Sequence, residues 1–415
     1  MKLLTCFLIA AMLVISCQPM KEETNKNSTF SNIASPSGSD ASLPYLLKGG
    51  DGLLYMSWVE KRDSGWIDLK YSVRRENAWL EPEVIASGND WFVNWADYPM
   101  LAVDNQGNMV AHFLAKSSAG TYSYDVNVVY KPAGGNWSTP IVPHDDNTPT
   151  EHGFVTLLPN NDGTFLLAWL DGRNTGDGGH DAHNSGSGGA MTIRSGIIDM
   201  NGNITSGIVL DARVCDCCQT GGAITSKGPI IVYRDRSEQE LRDIGFLRRV
   251  DNRWSTTKLV NADGWKIAGC PVNGPRIDAY ENTTAVAWFT AAEGIPKVKV
   301  AFMADSEENF QPPIIVDDAV SIGRLDLVML DNKTAIVSWL DLVNEKPLIT
   351  YRKVTMDGNM AEPVVVSETS ASRGSGFPQM AWVDGELFFA WTHIEEERTT
   401  ILMKTIPAPS IALQE

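Results

Sequence analysis

Four cysteines, Cys215, Cys217, Cys218 and the more distant Cys270, carry the strongest chemistry in the chain. Thiolates are soft ligands that select copper(I) or zinc, and imidazoles such as those of His180 and His183 suit either ion. The spacing, Cys-x-Cys-Cys with a remote fourth cysteine, matches no standard zinc module. The competing reading is a structural disulfide, which an oxidising compartment favours. Four thiols allow three pairings, and joining the adjacent Cys217 and Cys218 requires a strained ring. A redox role is a third reading, which lacks the support of Cys-x-x-Cys spacing because the run is read as Cys-x-Cys-Cys. Oxygen and nitrogen donors at His144-Asp145-Asp146 and Glu151-His152 add to the metal reading, although an acidic surface loop has the same composition.

A second cluster, Tyr233-Arg234-Asp235-Arg236-Ser237-Glu238, places a phenol and two carboxyls beside two guanidiniums. Tyr233, Asp235 and Glu238 are the catalytic candidates. Arg234, Arg236 and Arg276 are candidates for gripping a ligand carboxylate, for which a guanidinium fork has the right geometry. Arg and Asp alternating along this stretch also fit a surface salt-bridge ladder. Trp265, with Trp91 and Trp95, could stack on a sugar ring or equally cap a core.

The N-terminus gives the address. Lys2 precedes an uncharged, mostly apolar run from Leu3 to Ile15, shorter than the ~20 residues of a spanning helix. It ends in Val14-Ile15-Ser16-Cys17, which resembles the lipobox of bacterial lipoproteins. The resemblance implies a signal peptide over 1–16, lipidation of Cys17 and anchorage of the mature protein by acyl chains, with the outer membrane and its surface as the expected location. Residues 17–43 are rich in Ser, Asn, Lys and Glu and read as a tether. Within them Lys21-Glu22-Glu23 resembles the export tag of Bacteroidetes surface lipoproteins. With 34 basic and 51 acidic residues the net charge is −17, which argues against nucleic acid or anionic lipid as a partner. The acyl anchor is then the expected contact with the bilayer, and a monomer the expected state.

The elements that must position these residues repeat. Short apolar runs end in Trp58, Phe113, Trp169, Tyr233, Trp288, Trp339 and Trp391, at intervals of 51 to 64 residues. Turn signals such as Gly50-Asp51-Gly52 and Asn161-Asp162-Gly163 precede the runs, and alternating strands such as Asp125 to Tyr130 follow them. Four antiparallel strands per unit, repeated without helical periodicity, predict an all-β propeller of seven blades over residues 44–415, with six as the alternative. The last unit has a weak fourth strand, and the segment around Phe30 to Ala34 is placed to complete it.

Trp137-Ser-Thr and Trp254-Ser-Thr resemble the tail of the Asp-box of sialidases, whose full form is nowhere intact. The chain is therefore similar to the sialidase-like, BNR-repeat propellers. That resemblance implies a carboxylate-binding arginine cluster, a tyrosine nucleophile paired with a glutamate, and an aspartate acid, with Tyr233, Glu238 and Asp235 as the matching types. Propeller topology gathers the inter-blade links and the links between second and third strands on one face. There it brings most of the cysteines and histidines, leaving His112 as a packed strand residue. The expectation is a lipid-anchored propeller binding a small molecule, glycan or metal ion at a mouth between blades three and five. The alternatives are a sialidase-type glycoside hydrolase and a structural or protein-binding propeller.

Overall fold

The computed structural model describes residues 30–176, 189–318 and 320–407, so Cys17 and the pair His180 and His183 lie outside the described residues. Seven antiparallel sheets surround one axis, and their innermost strands follow chain order: Ala41–Lys48, Leu101–Val103, His152–Pro159, Gly221–Thr225, Arg276–Tyr280, Ser321–Met329 and Gln379–Val383. All seven line an axial channel of about 440 Å³ at one end of the ring. The chain is a seven-bladed β-propeller, as the repeats predicted.

Blade 7 draws on both ends of the chain. Ser31–Ile33 pairs antiparallel with Arg398–Pro407, in the register Ser31 to Thr405, Asn32 to Lys404 and Ile33 to Met403. The propeller therefore begins within the stretch read as tether. Phe30 packs edge-on to Tyr351 of blade 6 and Phe389 of blade 7, with centroids 6.2 Å away in both cases. The first strand thus locks the last blade and its neighbour together.

The repeated aromatics are the wedges between sheets. Trp58, Trp169, Trp288, Trp339 and Trp391 are among the most deeply buried large side chains, and Phe113 and Tyr233 hold the same place in blades 2 and 4. A buried indole N–H needs an acceptor. Period-two alternation puts residue i+2 on the same face, and an acid there accepts the indole N–H: Glu60 from Trp58 at 3.1 Å, Asp171 from Trp169 at 3.1 Å, and Asp341 from Trp339 at 2.6 Å. Trp288 uses Asp263 of the adjoining segment instead, at 2.6 Å.

Side chains also stitch neighbouring blades. Asp97 accepts the backbone N–H of Phe154 at 2.8 Å, Asp278 that of Met329 at 2.7 Å, and Asp326 that of Met380 at 2.6 Å. Burial raises the carboxyls of Asp97 and Asp326 above their ordinary range and that of Asp278 to about 6, against the opposing pull of those N–H groups. His112, with its side chain inside blade 2, is pushed down to about 3 by burial and packs as a neutral core residue, as expected.

Phe30→Ala is expected to lower stability by about 2 kcal/mol, below the roughly 3–5 kcal/mol of a fully buried Phe truncation because the site is only partly buried. Trp66→Ala, on an exposed side chain, should stay within about 0.5 kcal/mol. Denaturant unfolding followed by fluorescence reads both, and an unchanged midpoint for Phe30→Ala would contradict ring closure through the first strand.

Candidate functional site

At the end of the ring opposite the channel, the links form a mouth of about 410 Å³. Trp95 comes from the link between blades 1 and 2, Glu151 from the next, Cys217 from that between blades 3 and 4, and Cys270 from that between blades 4 and 5. Arg236, Glu240 and Arg242 come from the link between the second and third strands of blade 4. The two classes of link share one face, as propeller topology requires.

The cysteine run forms the turn after the long outer strand Ile204–Val214. The N–H of Cys215 bonds the carbonyl of Arg234 at 2.9 Å, which ties the turn to blade 4. Immediately after the run, Gln219 donates to the carbonyl of Ala96 at 2.7 Å and accepts from the N–H of Gly274 at 2.9 Å. One side chain therefore bridges three links beneath the mouth. Gly274 is required there, because a Cβ would stand 2.0 Å from the carbonyl oxygen of Gln219.

The turn brings three thiols to one point. The Sγ atoms of Cys215, Cys217 and Cys218 lie within 4.8 Å of one another, and all three residues are buried. Cys215 and Cys218 are closest, at 2.9 Å. Cys217 also interacts through its thiol with the exposed Cys270. None of the four is disulfide-bonded, so the expected disulfide is not formed by any pairing of them. The outer members of the run are three residues apart, a Cys-x-x-Cys pair that reading it as Cys-x-Cys-Cys concealed.

Charge around the thiols is organised by blade 4. Burial opposes ionisation of Cys215, but hydrogen bonds from the Cys217 and Cys218 thiols and the Arg242 guanidinium bring it well below the usual thiol range. Arg242 reaches the Cys215 sulfur at 3.3 Å and Glu240 at 2.9 Å. Burial raises Cys217 and Cys218, so Cys215 is the first of the three to ionise. Arg236 is clamped between Asp216 at 2.9 Å and Glu240 at 2.8 Å.

The other predicted residues fall in different places. Arg234 is brought to Trp265, its guanidinium 4.8 Å above the indole, but as an internal brace. Its nitrogens donate to the carbonyls of Asn273, Arg242 and Phe289 at 2.6 to 3.1 Å, and both residues are buried. Arg276 lines the opposite channel, bonded to the Tyr98 hydroxyl and to the carbonyl of Leu325 at 3.2 Å. Tyr233 donates across to Asp211 on the outer strand of blade 3 at 2.6 Å, while Glu238 is exposed in the loop beyond. Asp235 is half-buried, and burial with the nearby Asp211 and Asp243 raises it to about 6. Tyr233 and Glu238 are thus not assembled as a nucleophile pair. His144 and His152 meet at the join of blades 2 and 3.

No family model and no curated protein sequence matches the chain. Solved structures do match. A polysaccharide lyase of family PL25, an ulvan lyase, superposes with a TM-score of 0.55 at 10% identity, covering 91% of this chain and 96% of that one. A protein of unknown function from Dyadobacter fermentans DSM 18053 gives a TM-score of 0.52 at 12% identity, over 91% and 97% of the two chains. The endosialidase of phage phi92 gives 0.51 at 9% identity, over 93% of this chain and 69% of that one. At these identities the likeness is one of fold alone, that of the β-propeller.

Proposed function

We propose that this protein is a lipid-anchored envelope propeller whose axial mouth holds a soft metal ion, copper(I) or zinc, on the thiols of Cys215, Cys217 and Cys218. The observation that carries this reading is the convergence of three buried sulfurs from one turn at the edge of the mouth. Three thiolates suffice for copper(I); the tetrahedral preference of zinc enlists Cys270 as the fourth ligand. Arg242 offsets the negative charge that such a set accumulates, and the mouth gives a small ligand access to Cys217. A sialidase-type hydrolase has less support, because the hydroxyl of Tyr233 is engaged by Asp211 and the guanidinium of Arg234 by backbone carbonyls.

The mature protein, purified under reducing conditions, is expected to take up about one equivalent of copper(I), the ion that discriminates the thiols from nitrogen and oxygen donors, measured by mass spectrometry of the metal. Cys217→Ser should reduce that uptake at least tenfold while circular dichroism stays that of a β protein. Equal uptake by the variant, or none by either protein, would overturn the proposal. The anchor is tested separately. Cys17→Ser should remove palmitate labelling and shift the protein from the membrane to the soluble fraction, and unchanged partitioning would contradict lipidation there.

A further inference from the structure

Away from the thiols, a second group of donors converges where blades 2 and 3 join. Asp125 lies on the third strand of blade 2, Tyr124–Lys131; His144 lies in the link that follows; His152 opens the inner strand of blade 3. The two imidazoles are stacked, centroids 3.8 Å apart and planes 10° apart. Both side chains are more than nine-tenths buried, and that of Asp125 is about a quarter exposed.

Three acceptor atoms face one another. Asp125 Oδ1 is 3.4 Å from His152 Nδ1 and 3.7 Å from His144 Nε2, and the three lie within 4.8 Å of one another. Among the described residues none of the three meets a partner at good hydrogen-bond geometry; the nearest approach, His152 Nδ1 to Asp125 Oδ1 at 3.4 Å, is a long ion-pair contact that favours the protonated imidazole against its burial. Three buried acceptors left so close together are costly unless a cation or a donor lies between them. The spacing fits a cation: bonds of 2.0–2.1 Å in a tetrahedral site separate its donors by roughly 3.3 Å.

The opposite edges of both rings explain why these nitrogens present lone pairs. His152 Nε2 bonds Asp146 Oδ2 at 3.1 Å, and His144 Nδ1 lies 3.5 Å from the same oxygen. With the ring protons on those outer nitrogens, the inner nitrogens are left as ligands. Asp146 is itself fixed by Thr148, at 2.7 and 2.9 Å, and by Arg173 at 2.9 Å. A carboxylate behind each metal-binding imidazole is the outer shell that sets tautomer and orientation in known sites.

We infer that Asp125 Oδ1, His144 Nε2 and His152 Nδ1 form a binding site for a borderline divalent cation of the zinc class, separate in chemistry from the thiol cluster. Two imidazoles and one carboxylate leave a tetrahedral ion one position for water or a ligand, and the partly exposed Asp125 marks the side from which it enters. The imidazole and carboxylate donors exclude copper(I) as the preferred occupant and admit zinc, cobalt or iron(II).

Cobalt(II) is the probe that separates the two sites, since thiolate ligands give intense charge-transfer absorption and nitrogen–oxygen ligands only weak visible bands. The mature wild-type chain is expected to bind one cobalt(II) that shows only weak bands, distinct from any thiolate-bound ion with its intense absorption, and zinc to displace it. Asp125→Asn, which keeps side-chain volume, and His144→Ala should each weaken that binding more than tenfold, whereas Cys217→Ser leaves it unchanged. Absence of the weak-band ion in the wild type would overturn the inference and mark the group as a plain ion pair between His152 and Asp125. Wild-type affinity in both variants would overturn it equally.

Discussion

The ring must close, and the pairing of Ser31–Ile33 with Arg398–Pro407 is where it closes. An isolated four-stranded sheet has two open edges and two faces to cover. Seven of them solve the problem only as a circle, each face buried on the next and each gap filled by one large aromatic from a second strand. Closure from both chain ends fixes blades 7 and 1 as neighbours. The remaining links then have no freedom to choose a face. The convergence of links from blades 1 to 5 around the cysteines is a consequence of that closure rather than of local sequence.

Fold and site differed in how far the sequence exposed them. The aromatics at 51- to 64-residue intervals identified every second strand, because a wedge between blades must be large and flat and must recur. Phe30 to Ala34 was legible as the missing strand because the last unit lacked one. Neighbouring positions proved harder to sort. Along a strand, successive residues point to opposite faces, so Tyr233, Arg234 and Asp235 could not share one pocket. The structure sends the Tyr233 hydroxyl to Asp211, the Arg234 guanidinium to the floor beneath the mouth, and Glu238 to solvent. Trp265 was assigned correctly to a link, but cation–π contact with Arg234 turns it inward. Arg276 lies on an inner strand and lines the channel at the other end. The pairing of Asp125 with His144 and His152 crosses two blades, and no spacing along the chain records it.

The two donor clusters follow the chemistry of their surroundings. The thiols sit on a turn whose carbonyl and amide contacts are all made by rigid neighbours, with a guanidinium supplied from blade 4. The imidazoles sit among carboxylates, with an arginine two shells out. A soft, singly charged ion suits the first and a harder divalent ion the second. In an acidic chain both would act as local sinks for cations, each tuned by how many charges the protein places beside it.

The central claim is that the sulfurs of Cys215, Cys217 and Cys218 bind one ion together. X-ray absorption at the copper edge, on the mature protein loaded with one equivalent of copper(I), reads the ligands directly. The account predicts a shell made of sulfur alone, at about 2.3 Å. A first shell of nitrogen and oxygen would contradict it.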